Sequence, residues 1–134
     1  MTQSPFLFMK ENSKTVLWND SADPKELKEA LTWGIVGATC NPVIALSALK
    51  ADQDHWVARI KDYSKANPTA TDDQIGWAMV KELSENAAKL LEGEFKKYNG
   101  RNGRLSIQTD PRNFRDAKAL TEQAFEFSKL AKNI

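Results

Sequence analysis

Three of the four Asx-Pro pairs, Asp23-Pro24, Asn41-Pro42 and Asp110-Pro111, lie just beyond short β-rich runs. An Asx-Pro pair placed after a strand suits the start of a helix. The Asx side chain accepts from the first free backbone N–H groups, and the proline ring sits where no N–H is needed. The runs themselves are 15–19, 35–39 and 104–109, rich in the β-branched and aromatic residues that favour strands. A chain built this way is committed to strands that alternate with helices.

The helices between these runs follow from apolar spacing. Leu27, Ala30 and Leu31 line one side of a helix from Pro24 to about Trp33, and a second runs over 43–49. Trp56, Ile60 and Tyr63 recur at helical intervals until Asn67-Pro68 stops them. Thr71 with Gln74 has capping-box spacing, and Ile75, Met79, Leu83, Ala87 and Leu90-Leu91 hold the period nearly to Tyr98. Asn99-Gly100-Arg101-Asn102-Gly103 is turn chemistry before the third strand. Ala117, Leu120, Ala124, Phe127 and Leu130 form the stripe of a last helix, expected to start at Asp110-Pro111. The order is β-α-β-α-α-α-β-α. Strands separated by helices favour a parallel sheet, either an open doubly wound sheet or part of a barrel.

Composition removes several classes of function. Nineteen Lys plus Arg against 18 Asp plus Glu supply no positive field for a nucleic acid. No apolar run reaches the ~18 residues of a membrane span, and Phe6-Leu7-Phe8-Met9 is too short for a signal peptide. A single cysteine, Cys40, excludes an intramolecular disulfide framework and fits a reducing cytoplasm; with one histidine, His55, a metal site is not expected. His55 lies between acidic neighbours at a helix start and reads as solvent-exposed, while Trp56, Tyr63, Trp77 and Phe127 read as core. No Gly-x-Gly-x-x-Gly follows a strand and there is no P-loop.

Each strand ends in polar residues: Asn19 and Asp20, Thr39 and Asn41, Gln108 and Asp110. The carboxyl ends of parallel strands share one rim, where sites are built. A hydroxyl, carboxylates and carboxamides gathered there suit a hydroxylated small molecule. Asp20, Asn41 and Asp110 equally suit helix caps and turns, and periodicity leaves both readings open.

Three segments resemble the strand motifs of the transaldolase family: 17–23 (LWNDSAD), 37–42 (GATCNP) and 103–112 (GRLSIQTDPR), in the family's order and each at the head of a helix. The resemblance runs from about Thr15 to the C-terminus. It implies a (β/α)₈ TIM barrel, of which this chain carries about the first three parallel strands with their helices as one domain, 1–134. The activity implied is transfer of a dihydroxyacetone unit between sugar phosphates of the fructose 6-phosphate class, in the pentose phosphate pathway. A Schiff-base lysine on the fourth strand does this without metal or organic cofactor. By position Asp20 matches the acid/base carboxylate. Asn41 matches the substrate-positioning amide, able to donate to and accept from sugar hydroxyls, and Thr39 either lines the pocket or fixes the turn.

Two positions depart from the family pattern. Cys40 replaces a small hydroxyl residue and, with no histidine near in sequence, is not expected to act as a nucleophile. Gln108 stands where most full-length transaldolases carry a water-holding glutamate; in having Gln there the chain resembles the fructose-6-phosphate aldolase branch. A carboxamide can orient water but cannot take its proton, which implies altered transfer-to-cleavage chemistry. A whole barrel needs roughly 250 residues, and the resemblance implies that these 134 residues end before the lysine strand. The chain alone is therefore expected to be inactive and to self-associate through its uncovered sheet edge. The alternatives are a truncated non-catalytic homologue and an unrelated open-sheet binder.

Overall fold

The computed structural model describes residues 4–134. Its elements are α1 (Pro5–Asn12), β1 (Trp18–Asn19), α2 (Pro24–Thr32), β2 (Gly37–Cys40), α3 (Pro42–Ala51), α4 (Gln53–Ala66), α5 (Asp72–Lys97), β3 (Arg104–Ile107), a 3₁₀ turn (Pro111–Asn113) and α6 (Ala117–Phe127). The three strands form one sheet in the order β1-β2-β3, every pair parallel. Trp18, Gly37 and Arg104 lie in register, as do Thr39 and Ser106. Neighbouring strands follow chain order with no reversal, the winding of a barrel segment.

Helix α5 backs the sheet. Met79, Leu83, Ala87 and Leu91 are all buried, a four-residue repeat that keeps one face inward over several turns. They meet Leu27 and Ala30 of α2, Ala38 and Cys40 of β2, and Leu105 of β3 in one core cluster. Small residues at Ala38, Ala45, Ala48 and Ala87 let helices and sheet approach closely. Burial of a Leu83-sized side chain contributes about 1.5–3 kcal/mol, so α5 is the main support beneath the strands. Thr71 and Gln74 form the expected reciprocal capping box at its start.

Four local details differ from the sequence reading. Helix α1 was not anticipated, because Phe6 to Met9 is apolar on all sides and carries no helical period; Pro5 at the first position starts it. Leu7 then packs over Gly34, and Lys10 pairs with Glu94 at 3.3 Å. Strand β1 is two residues rather than five, since Thr15 and Val16 are exposed. Asp110-Pro111 opens a 3₁₀ turn, not a helix, and α6 begins only at Ala117 under an Asp116 cap. Helix α6 also stops at Phe127, leaving Leu130 outside it.

The outer edge of β3 is not wholly bare. Leu105 N–H donates to the Asn133 carbonyl at 2.8 Å, and the buried Asn133 amide donates to the carbonyls of Ala88 and Gly103, each at 2.8 Å. Among the described residues no helix is long and apolar enough to cross a membrane.

Candidate functional site

The carboxyl ends of β1, β2 and β3 bring the anticipated residues to one rim. Side chains alternate along a strand, so Trp18 and Asp20, then Gly37, Thr39 and Asn41, then Arg104, Ser106 and Gln108 share the face opposite the α5 core. Burial agrees: Ala38, Cys40 and Leu105 are buried, whereas Ser106 and Gln108 are exposed. Trp18 lies across Gly37, where a Cβ would come within 2.7 Å of its ring. Glycine here gives the indole its seat on the sheet.

The most direct contact at the rim joins two strands. Thr39 Oγ1 donates to Asp20 Oδ1 at 2.6 Å, a short charge-assisted bond. Asp20 caps no helix; that role falls to Asp23, whose Oδ1 accepts from Lys25 and Glu26 N–H at 2.8 and 2.9 Å. Thr39 neither fixes its own turn nor has a free hydroxyl proton, because that proton is directed at the carboxylate. The second carboxylate oxygen of Asp20 remains available to a ligand.

Asn41 takes one of its two readings, that of a helix cap. Its Oδ1 accepts from Val43 and Ile44 N–H, each at 2.9 Å, and so caps α3. Only the Nδ2 donors remain, so Asn41 can donate to a hydroxylated ligand but cannot also accept from it. Gln108 N–H donates to the Cys40 carbonyl at 2.9 Å. That bond fixes its backbone beside Asn41, while its exposed carboxamide has no partner among the described residues.

Asp110 belongs to structure. It is buried, accepts from Arg112 N–H at 2.9 Å and from the Arg112 guanidinium at 2.6 to 3.0 Å, and Arg112 continues to Asp73. The guanidinium holds the Asp110 carboxyl below the usual carboxylate range, and Asp110 in turn raises Arg112. This chain of contacts ties the β3 end to the start of α5. Cys40 faces the core, where burial pushes its thiol up to about 11 despite a partly opposing bond with Ser84. It lies on the opposite face from the rim and is poorly placed to be a nucleophile.

Sequence reasoning did not single out Ser106. It pairs with Thr39 in register and is exposed on the Asp20 face. Counting back two from Gln108 along a strand would have found it. His55 is exposed, with its ring edge-on to buried Trp56 at 5.1 Å. The largest described cavity, about 870 Å³ between α4, α5 and α6, holds none of the rim residues.

A profile described as Transaldolase/Fructose-6-phosphate aldolase matches residues 17–134. A curated relative described as a transaldolase, from Mycolicibacterium smegmatis, is 29% identical over 142 aligned residues. The alignment covers 97% of this chain and 36% of that relative, so the chain spans about a third of the relative's length.

Proposed function

The chain belongs to the transaldolase/fructose-6-phosphate aldolase family, and from that premise we propose that it forms the first three strand–helix units of a dihydroxyacetone-transferring barrel. Its residues supply the proton-transfer side of the site, and its substrates are sugar phosphates in the cytoplasm. The observation that carries the reading is the Asp20–Thr39 bond on the same face as Asn41, Ser106 and Gln108.

In this reading the ketose is held as a Schiff base by a lysine from the remainder of the barrel. Asp20 takes the proton from the hydroxyl next to the breaking carbon–carbon bond and returns it to the acceptor aldehyde. Thr39 keeps that carboxylate turned toward the substrate. Asn41 Nδ2 donates to a hydroxyl of the dihydroxyacetone unit. Gln108 orients water without exchanging a proton. No lysine of this chain sits at the carboxyl end of β1, β2 or β3, so the chain by itself forms no Schiff base.

The test is a chimera in which residues 1–134 replace the matching third of the Mycolicibacterium smegmatis transaldolase. Dihydroxyacetone transfer is expected, and Asp20→Asn within the graft should lower kcat by about 10²–10⁴ while borohydride still traps the substrate adduct. A folded chimera without activity, or one indifferent to Asp20→Asn, would refute the assignment. The isolated chain with fructose 6-phosphate and borohydride should show no adduct by intact mass.

A further inference from the structure

The rim residues form rows across the sheet. Asn19 pairs with Ala38 and Ala38 with Leu105, so the next step along all three strands sets Asp20, Thr39 and Ser106 level with one another. Neighbouring strands lie about 4.8 Å apart. Thr39 closes the first of the two gaps in this row, at 2.6 Å to Asp20. Its hydroxyl thereby gives its one proton to the carboxylate and keeps lone pairs with which to accept. Ser106 stands across the second gap in register with Thr39, and its hydroxyl has no partner among the described residues.

Barrel interiors are ordinarily filled with branched apolar side chains. A row of one carboxylate and two hydroxyls departs from that pattern, and a hydroxyl enclosed in a barrel needs a bonding partner. Arg104, two residues before Ser106 on the same face, is committed elsewhere: its Nε donates to the Gly100 carbonyl at 2.8 Å, and its guanidinium lies over the Phe95 ring. Thr39 is therefore the acceptor across the gap from Ser106. On the other side Gln108 follows about 6–7 Å along the strand, its backbone fixed by the bond to the Cys40 carbonyl. Side chains lean along the strand, and one water bonded to both, at about 2.8 Å from each, spans that interval.

We propose that Ser106 is a proton-relay residue that links the water held by Gln108 to Asp20 through Thr39, an assignment that rests on the transaldolase reading. The step it serves is addition of water to the protonated Schiff base. Gln108 orients that water but takes no proton from it, and Asp20 lies two strands away. The water gives a proton to Ser106 Oγ, Ser106 gives its own to Thr39 Oγ1, and Thr39 gives its own to Asp20 Oδ1. Three O–H bonds break and three form. The hydroxide left behind adds its electron pair to the imine carbon, and the C=N π pair moves to nitrogen and neutralises its charge. Asp20 ends protonated, and the reverse passage accompanies loss of water when the Schiff base forms. The row of hydroxyls supplies the base that a carboxamide at position 108 cannot be.

The test uses the chimera that carries residues 1–134. Fructose 6-phosphate loads the adduct, a coupling enzyme removes the glyceraldehyde 3-phosphate released, and borohydride trapping with intact mass follows adduct decay in water. Ser106→Ala should slow that decay by about tenfold or more, and by more than it slows carbon–carbon cleavage in a single turnover. Ser106→Thr keeps the hydroxyl and should recover most of the rate. Gln108→Glu added to Ser106→Ala should also recover it, because a carboxylate takes the proton directly. In mixtures of light and heavy water the decay rate of the unmutated graft should vary along a curve, the mark of several protons in flight, and that of the double variant should approach a straight line. Decay of Ser106→Ala at the unmutated rate overturns the relay alone, provided cleavage still responds to Asp20→Asn. So does a loss that neither Ser106→Thr nor Gln108→Glu repairs, which would make Ser106 a packing residue. A folded graft that forms no adduct refutes the transaldolase reading, and the relay falls with it.

Discussion

Asn133 is a severe test of how the strand layer is held. Its carboxamide reaches back 45 residues to the Ala88 carbonyl in α5 and 30 residues to the Gly103 carbonyl at the head of β3, both at 2.8 Å and fully enclosed. Asn133→Ala removes two hydrogen bonds and strands the Gly103 carbonyl away from water, while the Ala88 carbonyl keeps its helical partner in α5. The stranded group costs about 1–3 kcal/mol and the lost bond to Ala88 about 0.5–1.5 kcal/mol, for a total of about 2–4 kcal/mol. Asn133→Asp has almost the same shape but turns the wrong chemistry on those carbonyls. Only a protonated carboxyl can donate to either of them, so the folded state raises the pKa of the new group above its unfolded value of about 3.9. A raised acid is most compatible with folding below the unfolded pKa, and that compatibility is lost as pH rises toward the folded value. Asn133→Asp should therefore match Asn133→Ala near pH 3.5 and fall below it at pH 7. Urea unfolding followed by tryptophan fluorescence at both pH values reads the difference. A loss under about 0.5 kcal/mol for Asn133→Ala, the scale of an ordinary surface change, would refute the reasoning, as would a pH-independent Asn133→Asp.

Two glycines should respond with opposite sign. Gly103 has φ +73°, and a Cβ there would fall 2.1 Å from Phe95 N, so Gly103→Ala should cost at least about 3 kcal/mol. At Gly76 a Cβ would meet no atom within 4 Å, so Gly76→Ala should raise the melting temperature, by about 0.5–1 kcal/mol in stability, and a destabilised Gly76→Ala would contradict that open space. With its thiol near 11 rather than 9.0, Cys40 should be alkylated at pH 8 about a hundredfold more slowly in the folded than in the urea-unfolded chain, and comparable rates would count against its burial. Arg112 depresses the Asp110 carboxyl, so their pairing stabilises the fold above the unfolded carboxyl pKa and is lost as pH falls through the lower folded value. The stability gap between the parent and Arg112→Met should thus be widest near neutrality and close in acid; a gap that is constant with pH would exclude this pairing as its source.

The alternation of strand and helix was legible because the signals were local. Thr71 with Gln74 and Asp23 with Pro24 act within one turn of themselves, and both do in the fold what their spacing demanded. Helix α1 was hidden because its packing partners, Gly34 and Glu94, are remote in sequence and its own pattern is apolar throughout. The false helix start at Asp110-Pro111 has the same origin. Arg112, itself held by Asp73, draws the Asp110 carboxylate into a tight turn, and no local propensity reports a partner of Arg112 39 positions away. At the rim, residue types were readable but their commitments were not. Only the sheet register brings Thr39 to Asp20, and only the folded cap shows that Asn41, readable as cap or ligand group, has given its oxygen to α3.

That last commitment restricts how the rim can drift over generations. At Asn41 one carboxamide holds a helix with its oxygen and presents a donor with its nitrogen. Asp there would keep the cap and lose the donor; Gln would keep both groups but, one carbon longer, misplace the cap. Asp20 caps nothing, so the fold would tolerate its replacement and only chemistry would object. The two residues therefore answer to different constraints. A homologue that had abandoned catalysis would be free to change Asp20 while Asn41 persisted, which makes the joint survival of the pair, rather than Asn41 alone, the informative mark of a working site.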